Sequence, residues 1–285
     1  MSEPAIHPGV RTETYEGRVD ADAAIAYALA TNDPNPVYPE GRAVPPMYTV
    51  SLILPAMGES GRLGVDPGAI KDVRGGVHGE HDVYFHAPIV PGSSVRWYSE
   101  NHCAMQTPAG VLVSQRILVS DLEDRPLVEH FWTSMHIGGK IPADVGPRLA
   151  DHTFPPSARA HPIGAERFQV SGDQTFRYAG ASTDHASIHV DDEAARRNGF
   201  PSKFLQGLCT FGMCSGAVVK HAAGGDPDRL HRLAGRFSSP VFPRNELLVE
   251  LYDAGSTAEG RPAFAFEATS AGQTVIKNGW VELNR

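Results

Sequence analysis

The 285-residue sequence predicts an α+β fold built from two similar halves, each with an antiparallel sheet wrapped around one long helix. In each half, an apolar helical stretch is followed by four runs rich in β-branched and aromatic residues, which are typical of strands. A sheet with one apolar face needs a helix against which to bury it. The halves also share a repeat: Tyr27–Asp33 aligns with Tyr178–Asp184 at an offset of 151 residues. Two copies of one unit are therefore expected.

Composition and charge exclude several classes of partner. Hydrophobic residues make up 41% and charged residues 20%, and the net charge is −8 without a Lys/Arg block. We therefore expect neither nucleic acid nor a membrane surface as the partner. No apolar run approaches the length of a membrane span. The three cysteines, Cys103, Cys209 and Cys214, lack metal-binding spacing, which indicates reduced thiols and a cytoplasmic protein.

The first half is expected to span residues 1–140, and the Gly- and Pro-rich residues 141–164 form a linker. A short strand at residues 12–18 precedes a helix at Ala21–Ala30, which Asp20 can cap. A proline-containing loop then leads to the apolar segment Met47–Leu54, where a helix begins. Strands follow near Val77–His86, Val95–His102, Val111–Ser120 and Leu127–His136.

The second half, residues 165–285, repeats this plan. A strand at Arg167–Ser171 precedes a helix at Gln174–Ala181, for which Asp173 is the expected cap. A buried helix begins at Gly207 and is stopped near Ala223 by two glycines. Strands follow near Leu233–Ser239, Leu247–Asp253, Ala263–Ser270 and Thr274–Leu283.

Asp184 and His189 are the candidate catalytic residues. A five-residue spacing can place both side chains on one turn, and a carboxylate with an imidazole can orient a water and take its proton. Gly207 is the first residue of the buried helix. The first amides of a helix lack intrahelical acceptors and lie at the positive end of the helix dipole. At the repeat offset, Asp33 lies opposite Asp184 and Tyr38 lies opposite His189. Only the second half has therefore kept the His, and Asp33 is interpreted as structural.

The second half resembles the MaoC-like, hydratase 2 group of enoyl-CoA hydratases and (3R)-hydroxyacyl thioester dehydratases. The matching residues are Tyr178, Ser182, Asp184 and His189 with Ala195 six residues later, Gly199-Phe200, and the run Leu205–Gly212. His78-Gly79-Glu80 and Pro240–Pro243 match the two-copy members. The resemblance covers nearly the whole chain. It implies a double hot dog fold, in which the first copy holds the acyl chain and the second performs the chemistry.

By this resemblance, Asp184 and His189 activate water and the Gly207 amide belongs to an oxyanion hole. The implied reaction is reversible hydration of a trans-2-enoyl-CoA to a (3R)-3-hydroxyacyl-CoA, with CoA as part of the substrate and no further cofactor. An acyl carrier protein could carry the substrate instead, and a homodimer is open. The sequence departs from the family motif at Thr183, at Ala186-Ser187 and at Gln206. The weak candidates for contacts with CoA phosphates are Arg196, Arg197, Lys203, Arg236 and Arg244.

Two other functions stay open on the sequence alone. A hot dog thioesterase would hydrolyse the thioester, and a non-catalytic acyl-thioester-binding protein is suggested by the missing Asn-Pro of the motif. The identity of the acyl group is also open. His78, His81 and His86 lack a closed ligand set, so no metal site is predicted.

Overall fold

The computed structural model describes residues 4–60 and 68–285, which divide into two compact units. The first unit comprises Met1–Gly17, Ile53–Ala87 and Ser94–Asp151. The second comprises Arg18–Leu52, Pro88–Ser93 and His152–Arg285. The second unit thus also holds the segment that carries Tyr27 and Asp33. The division of the chain at residues 141–164 stays a prediction.

The first unit is a sheet of long strands. The strands are β1 (Tyr15–Arg18), β2 (Gly75–Phe85), β3 (Ser94–Thr107), β4 (Gly110–Ser120) and β5 (Pro126–Ile137), in the order β1-β3-β4-β5-β2. The pairs β3–β4, β4–β5 and β5–β2 are antiparallel. Alternating burial along β3, with Val95, Trp97 and Ser99 inward, gives the sheet its core face.

The second unit combines a five-stranded sheet with most of the helices. Its strands are β6 (Pro162–Gln169), β7 (Leu230–Phe237), β8 (Glu246–Ser256), β9 (Pro262–Ser270) and β10 (Gln273–Leu283), in the order β7-β10-β9-β8-β6. All four neighbouring pairs are antiparallel. The helices of the chain are α1 (Ala21–Ala30), α2 (Val50–Ser60), α3 (Gln174–Ser182), α4 (Ser187–Val190), α5 (Asp192–Arg197) and α6 (Gly207–His221).

The predicted helix starts are confirmed, with one difference in capping. Asp20 caps α1, since its side chain accepts a hydrogen bond from the Ala23 amide at 2.8 Å. Asp173 occupies the cap position of α3 but makes no side-chain bond to the helix. Its carboxylate instead accepts from the Ser171 hydroxyl at 2.6 Å. The expected side-chain cap is therefore wrong, because a nearer donor competes for the same oxygen.

Helix α6 forms the core of the second unit. Eleven of its fifteen residues are buried, as expected of a helix that is apolar on all sides. It ends at His221, two residues before the predicted end, and the φ angles of Gly224 and Gly225 are +68° and +87°. Its glycines allow close packing, since a Cβ on Gly212 would lie 2.7 Å from Thr31 Cγ2.

The two copies of the repeat meet inside this unit. The rings of Tyr27 and Tyr178 are fully buried and pack edge to face with centroids 5.6 Å apart. Their hydroxyls are 3.4 Å apart. The residues aligned by the sequence repeat are thus direct neighbours, and each copy's helix, α1 or α3, leads from this contact toward its own aspartate.

Candidate active site

The acid-bearing loop begins where α3 ends. Thr183 terminates the helix with a left-handed backbone, at φ +65°. The Asp184 amide donates to the Ser182 hydroxyl at 3.2 Å, and the Asp184 carboxylate accepts from the Ala186 amide at 3.2 Å. Glycine tolerates a positive φ better than a β-branched residue does, which explains why the family motif has glycine at the position of Thr183.

His189 lies on the short helix α4, and its side chain is 8% exposed. Its Nδ1 is 2.8 Å from the Phe204 carbonyl oxygen, which can only accept, so Nδ1 carries the proton and Nε2 has the free lone pair. The ring packs edge to face on Phe204 at 4.7 Å. Burial lowers the pKa of His189, opposed by the Phe204 bond and the Asp184 charge. The neutral imidazole is therefore the form suited to accept a proton at neutral pH.

Asp184 and His189 interact without a direct bond. The half-buried Asp184 carboxylate acts on His189 through its charge, but no ion pair joins the two side chains in the part of the chain that the structure describes. Two polar groups that are near but unbonded can both contact one small ligand. The sequence prediction that both residues belong to one turn-rich segment agrees with the local structure, in which α4 follows Asp184 after two residues.

Gln206 connects this loop to the start of α6. Its side chain is fully buried, and its Nε2 donates to the carbonyl oxygens of Asp184 at 3.3 Å and Thr175 at 3.0 Å. Its Oε1 has no hydrogen-bond partner within residues 4–60 and 68–285. Sequence reasoning treated Gln206 only as a departure from the motif. The sequence feature that points to this role is the position of Gln206 directly before Gly207, at the start of α6.

Gly207 is the first residue of α6 and is partly exposed. Its amide lies in the first turn, where the helix itself offers no acceptor. A Cβ at this position would lie 3.2 Å from two atoms of the Phe237 ring. The absence of a side chain therefore lets the Phe237 ring pack against the first turn of α6. The helix dipole favours negative charge at the Gly207 amide.

The five candidate cations do not form one free cluster. Arg197 pairs with Glu193 at 2.8 Å, and Lys203 pairs with Asp192 at 3.2 Å. Arg196, on the same helix α5, also lowers the pKa of Asp192 through its charge. Arg236 lies on β7 and Arg244 lies in the turn before β8. Arg196 and Lys203 are thus brought near one carboxylate, and a role for any of the five in CoA binding stays a prediction.

Two of the histidines considered for a metal, His78 and His81, form a buried chain with His130 in the first unit, whereas His86 Nε2 lies 3.2 Å from Glu129 Oε2. His81 Nδ1 is 3.3 Å from His78 Nε2, and His81 Nε2 is 3.0 Å from His130 Nδ1. Burial lowers the pKa of His78 and of His130 to about 3. Among the residues described, no group of three or more His, Cys, Asp or Glu side chains is arranged to hold a metal ion.

Comparison with known proteins supports the class of protein that this site suggests. The family model described as MaoC like domain matches residues 156–270. The 3-hydroxyacyl-thioester dehydratase Y of Mycobacterium tuberculosis is 28% identical over 247 residues, which cover 83% of this chain and 80% of that protein. Relatives named enoyl-CoA hydratase 2 are matched over half of their own length or less.

Solved structures show the fold. A MaoC-like dehydratase from Phytophthora capsici superposes with a TM-score of 0.81 at 24% identity, over 96% of this chain and 95% of that one. A Mycobacterium tuberculosis protein described as a double hot dog has a TM-score of 0.58 at 14% identity, over 99% of this chain and 96% of that one. The fold is therefore that of the hot dog proteins.

Residues 156–270 carry a MaoC like domain, and the predicted resemblance to the MaoC-like dehydratases is confirmed by this match and by the similar proteins. The predicted enzyme class, a hydro-lyase, is confirmed by the same domain match and by the names of the relatives. The matched domain contains Asp184, His189 and Gly207. No helix in the described ranges is long and apolar enough to cross a membrane.

Proposed function

We propose that the protein catalyses reversible hydration of a trans-2-enoyl-CoA to a (3R)-3-hydroxyacyl-CoA. The observation that supports this most directly is the environment of His189. Its Nδ1 is held by the Phe204 carbonyl at 2.8 Å, its Nε2 is free, and the Asp184 charge acts on the ring. A neutral imidazole beside a carboxylate is suited to activate a water, and the names of the relatives include this reaction class.

In the proposed mechanism, Asp184 and His189 hold one water between them. The pair takes a proton from this water as its oxygen bonds to the β-carbon of the enoyl group, and returns a proton to the α-carbon. The Gly207 amide donates to the thioester oxygen, on which negative charge develops. Positioned acid–base groups typically contribute about 10²–10⁴ in rate. One oxyanion donor contributes roughly 10²–10³.

Several finer features belong to the same proposal. Each copy is one hot dog with a sheet wrapped around its central helix, and the first copy holds the acyl chain. Arg196 and Lys203 are the most suitable of the five cations for a phosphate of CoA, because they lie near each other around Asp192. The reaction needs no cofactor beyond the CoA of the substrate. A homodimer and a cytoplasmic location complete the proposal.

The test follows loss of the conjugated enoyl-CoA absorbance with wild type, Asp184→Asn and His189→Ala. Both variants should lose at least about 10²-fold in kcat, the lower bound for acid–base catalysis. His185→Ala is the matched control, since His185 is an exposed histidine on the same loop, and this variant should keep wild-type activity. Full activity in either Asp184→Asn or His189→Ala would reject the assigned roles.

Two further assays on the same protein separate the hydratase from the thioesterase and from the binding protein. A thiol-reactive dye detects free CoA, which a thioesterase releases and a hydratase does not. Tight acyl-CoA binding without turnover on enoyl or 3-hydroxyacyl substrates of any chain length would indicate a binding protein. Scoring a panel of acyl groups in both directions would also define the substrate.

A further inference from the structure

A cavity lies beside Asp33, the residue that the repeat aligns with Asp184. It has a volume of about 550 Å³ and is lined by residues 32–36, residues 166–169 of β6, the C-terminal half of α6, and Gly224-Gly225. Pockets that bind small molecules typically have volumes of about 300–1,000 Å³. Asp184, His189 and Gly207 are not among its lining residues, so it is distinct from the candidate active site.

Within residues 4–60 and 68–285, one acidic side chain of the cavity wall, Asp33, makes no ion pair. Lys220 lines the cavity and is bound to Glu166 at 2.6 Å, and Arg167 is bound to Glu246. The remaining charged lining residue is Asp33, which is 8% exposed. Its Oδ1 accepts from the Asn35 amide at 3.1 Å, and the Tyr38 hydroxyl lies beside the carboxylate; both groups are neutral.

Two further features favour a cation at this position. The cavity lies against the C-terminal half of α6, a 15-residue helix that contributes Gly216, Ala217 and Lys220. The carbonyl groups at the C-terminal end of a helix attract positive charge. Burial raises the pKa of Asp33, opposed by the hydrogen bonds from the Asn35 amide and the Tyr38 hydroxyl. A bound cation would stabilise the ionised form of the carboxylate.

The rest of the lining suits an apolar body. Pro34, Pro36 and Phe168 contribute apolar surface beside Asp33. A Cβ on Gly216 would lie 2.9 Å from Asp33 Oδ2, so the glycine allows the carboxylate to lie against α6. The ligand that fits is therefore charged at one end and apolar along its length.

We propose that this cavity binds a small organic cation, a primary alkylammonium whose nitrogen pairs with Asp33 and whose alkyl chain lies against Phe168 and the two prolines. This site lies beyond the proposed hydratase function and does not depend on it. It gives the first copy of the repeat a ligand of its own, at the position where the second copy has its catalytic acid.

Isothermal titration calorimetry of the full chain with n-butylammonium chloride tests the proposal, with n-butanol as the neutral probe and sodium chloride at matched ionic strength. Wild type should bind the ammonium saturably at one site and should not bind the alcohol there. Asp33→Asn should weaken binding by roughly tenfold or more, since a hydrogen bond to a charged group contributes about 1.5–3 kcal/mol.

Lys220→Met provides a second variant whose expected effect is a gain. The Lys220 side chain is 58% exposed, so its loss should leave the fold intact. Glu166 then keeps His221 Nε2 at 2.9 Å as a partner but loses the Lys220 charge, so the wall becomes more negative. Binding of n-butylammonium should become tighter. Equal binding of the ammonium and the alcohol, or equal affinities in wild type, Asp33→Asn and Lys220→Met, would overturn the proposal. Circular dichroism confirms that each variant is folded.

Discussion

Replacing Gln206 with leucine removes the link between the acid-bearing loop and α6. The Gln206 side chain is fully buried, and its Nε2 donates to the carbonyls of Asp184 and Thr175. Leucine has a similar size but donates no hydrogen bond. Each buried acceptor left unpaired costs about 1–3 kcal/mol, and removing the unpaired Oε1 offsets part of this. We expect the free energy of unfolding to fall by about 1–3 kcal/mol.

The effect on activity should be separate from the effect on stability. The bond from Gln206 holds the backbone of Asp184, so its loss allows the carboxylate to move relative to His189. A displacement of about 1 Å can cost roughly 10² in rate. We therefore expect kcat to fall by roughly ten- to a hundredfold with little change in KM, because the acid rather than the CoA contacts is disturbed.

Urea unfolding and enoyl-CoA kinetics on the same preparations measure both effects. Gln206→His is the control, since histidine can still donate one of the two bonds and should give intermediate values. If Gln206→Leu keeps the wild-type kcat while losing stability, Gln206 supports the fold but does not position Asp184. Unchanged stability would contradict the two hydrogen bonds themselves.

Three other predictions use the same unfolding and kinetic measurements. Thr183→Gly should raise the free energy of unfolding by about 0.5–1 kcal/mol. The left-handed backbone costs a non-glycine residue about 1–2 kcal/mol, and the greater chain entropy that glycine loses on folding offsets part of the gain. A loss of stability would contradict this. Gly207→Ala should lower kcat by up to roughly 10²-fold. The alanine Cβ would lie 3.2 Å from the Phe237 ring, next to the amide that is the proposed oxyanion donor. A wild-type kcat would exclude the Gly207 amide as that donor. For the buried histidines, the folded-state pKa of His78 and His130 is about 3 against about 6.5 when unfolded, so the unfolded chain binds more protons below pH 6.5. The contribution of these histidines to stability is then full above pH 6.5 and is lost as pH falls toward 3, by about 1.4 kcal/mol per pH unit for each histidine. Urea titrations across this pH range should show a shallower decline of stability in His130→Gln than in wild type. Equal slopes would contradict the assignment.

Elements governed by nearby residues could be predicted from the sequence. The bounds of α1 agree at both ends, because its start depends on one local bond from Asp20 to the Ala23 amide. The ends of β2, β4, β5 and β7–β10 lie within about three residues of the predicted ends, because alternation and turn residues are local signals. The end of β3 at Thr107 and the start of β6 at Pro162 each lie five residues outside the predicted bounds, His102 and Arg167. The segment that carries Asp184 and His189 follows α3 as predicted, but His189 lies on α4 and not on a turn, and a shared site for the two side chains stays a prediction.

Features that depend on distant residues could not be derived in this way. The repeat showed that Tyr27 and Tyr178 are equivalent, but equivalence does not imply that the two rings touch. Arg18–Leu52 likewise belongs to the second unit because it packs with residues far away in the sequence, from His152 onward. The two bonds of Gln206 span 22 and 31 residues, so no local pattern marks them.

The structure also explains why one replacement separates the roles of the two copies. At the position of His189, the first copy has Tyr38, whose hydroxyl is buried beside Asp33 and whose pKa burial raises far above neutrality. Such a phenol does not accept a proton at neutral pH, whereas the His189 imidazole, with Nε2 free, does. The nearby Asp33 is itself desolvated, and its pKa is raised. In the first copy, Asp33 therefore lies beside a phenol rather than an imidazole, and the acid–base pair proposed for the second copy is not repeated there.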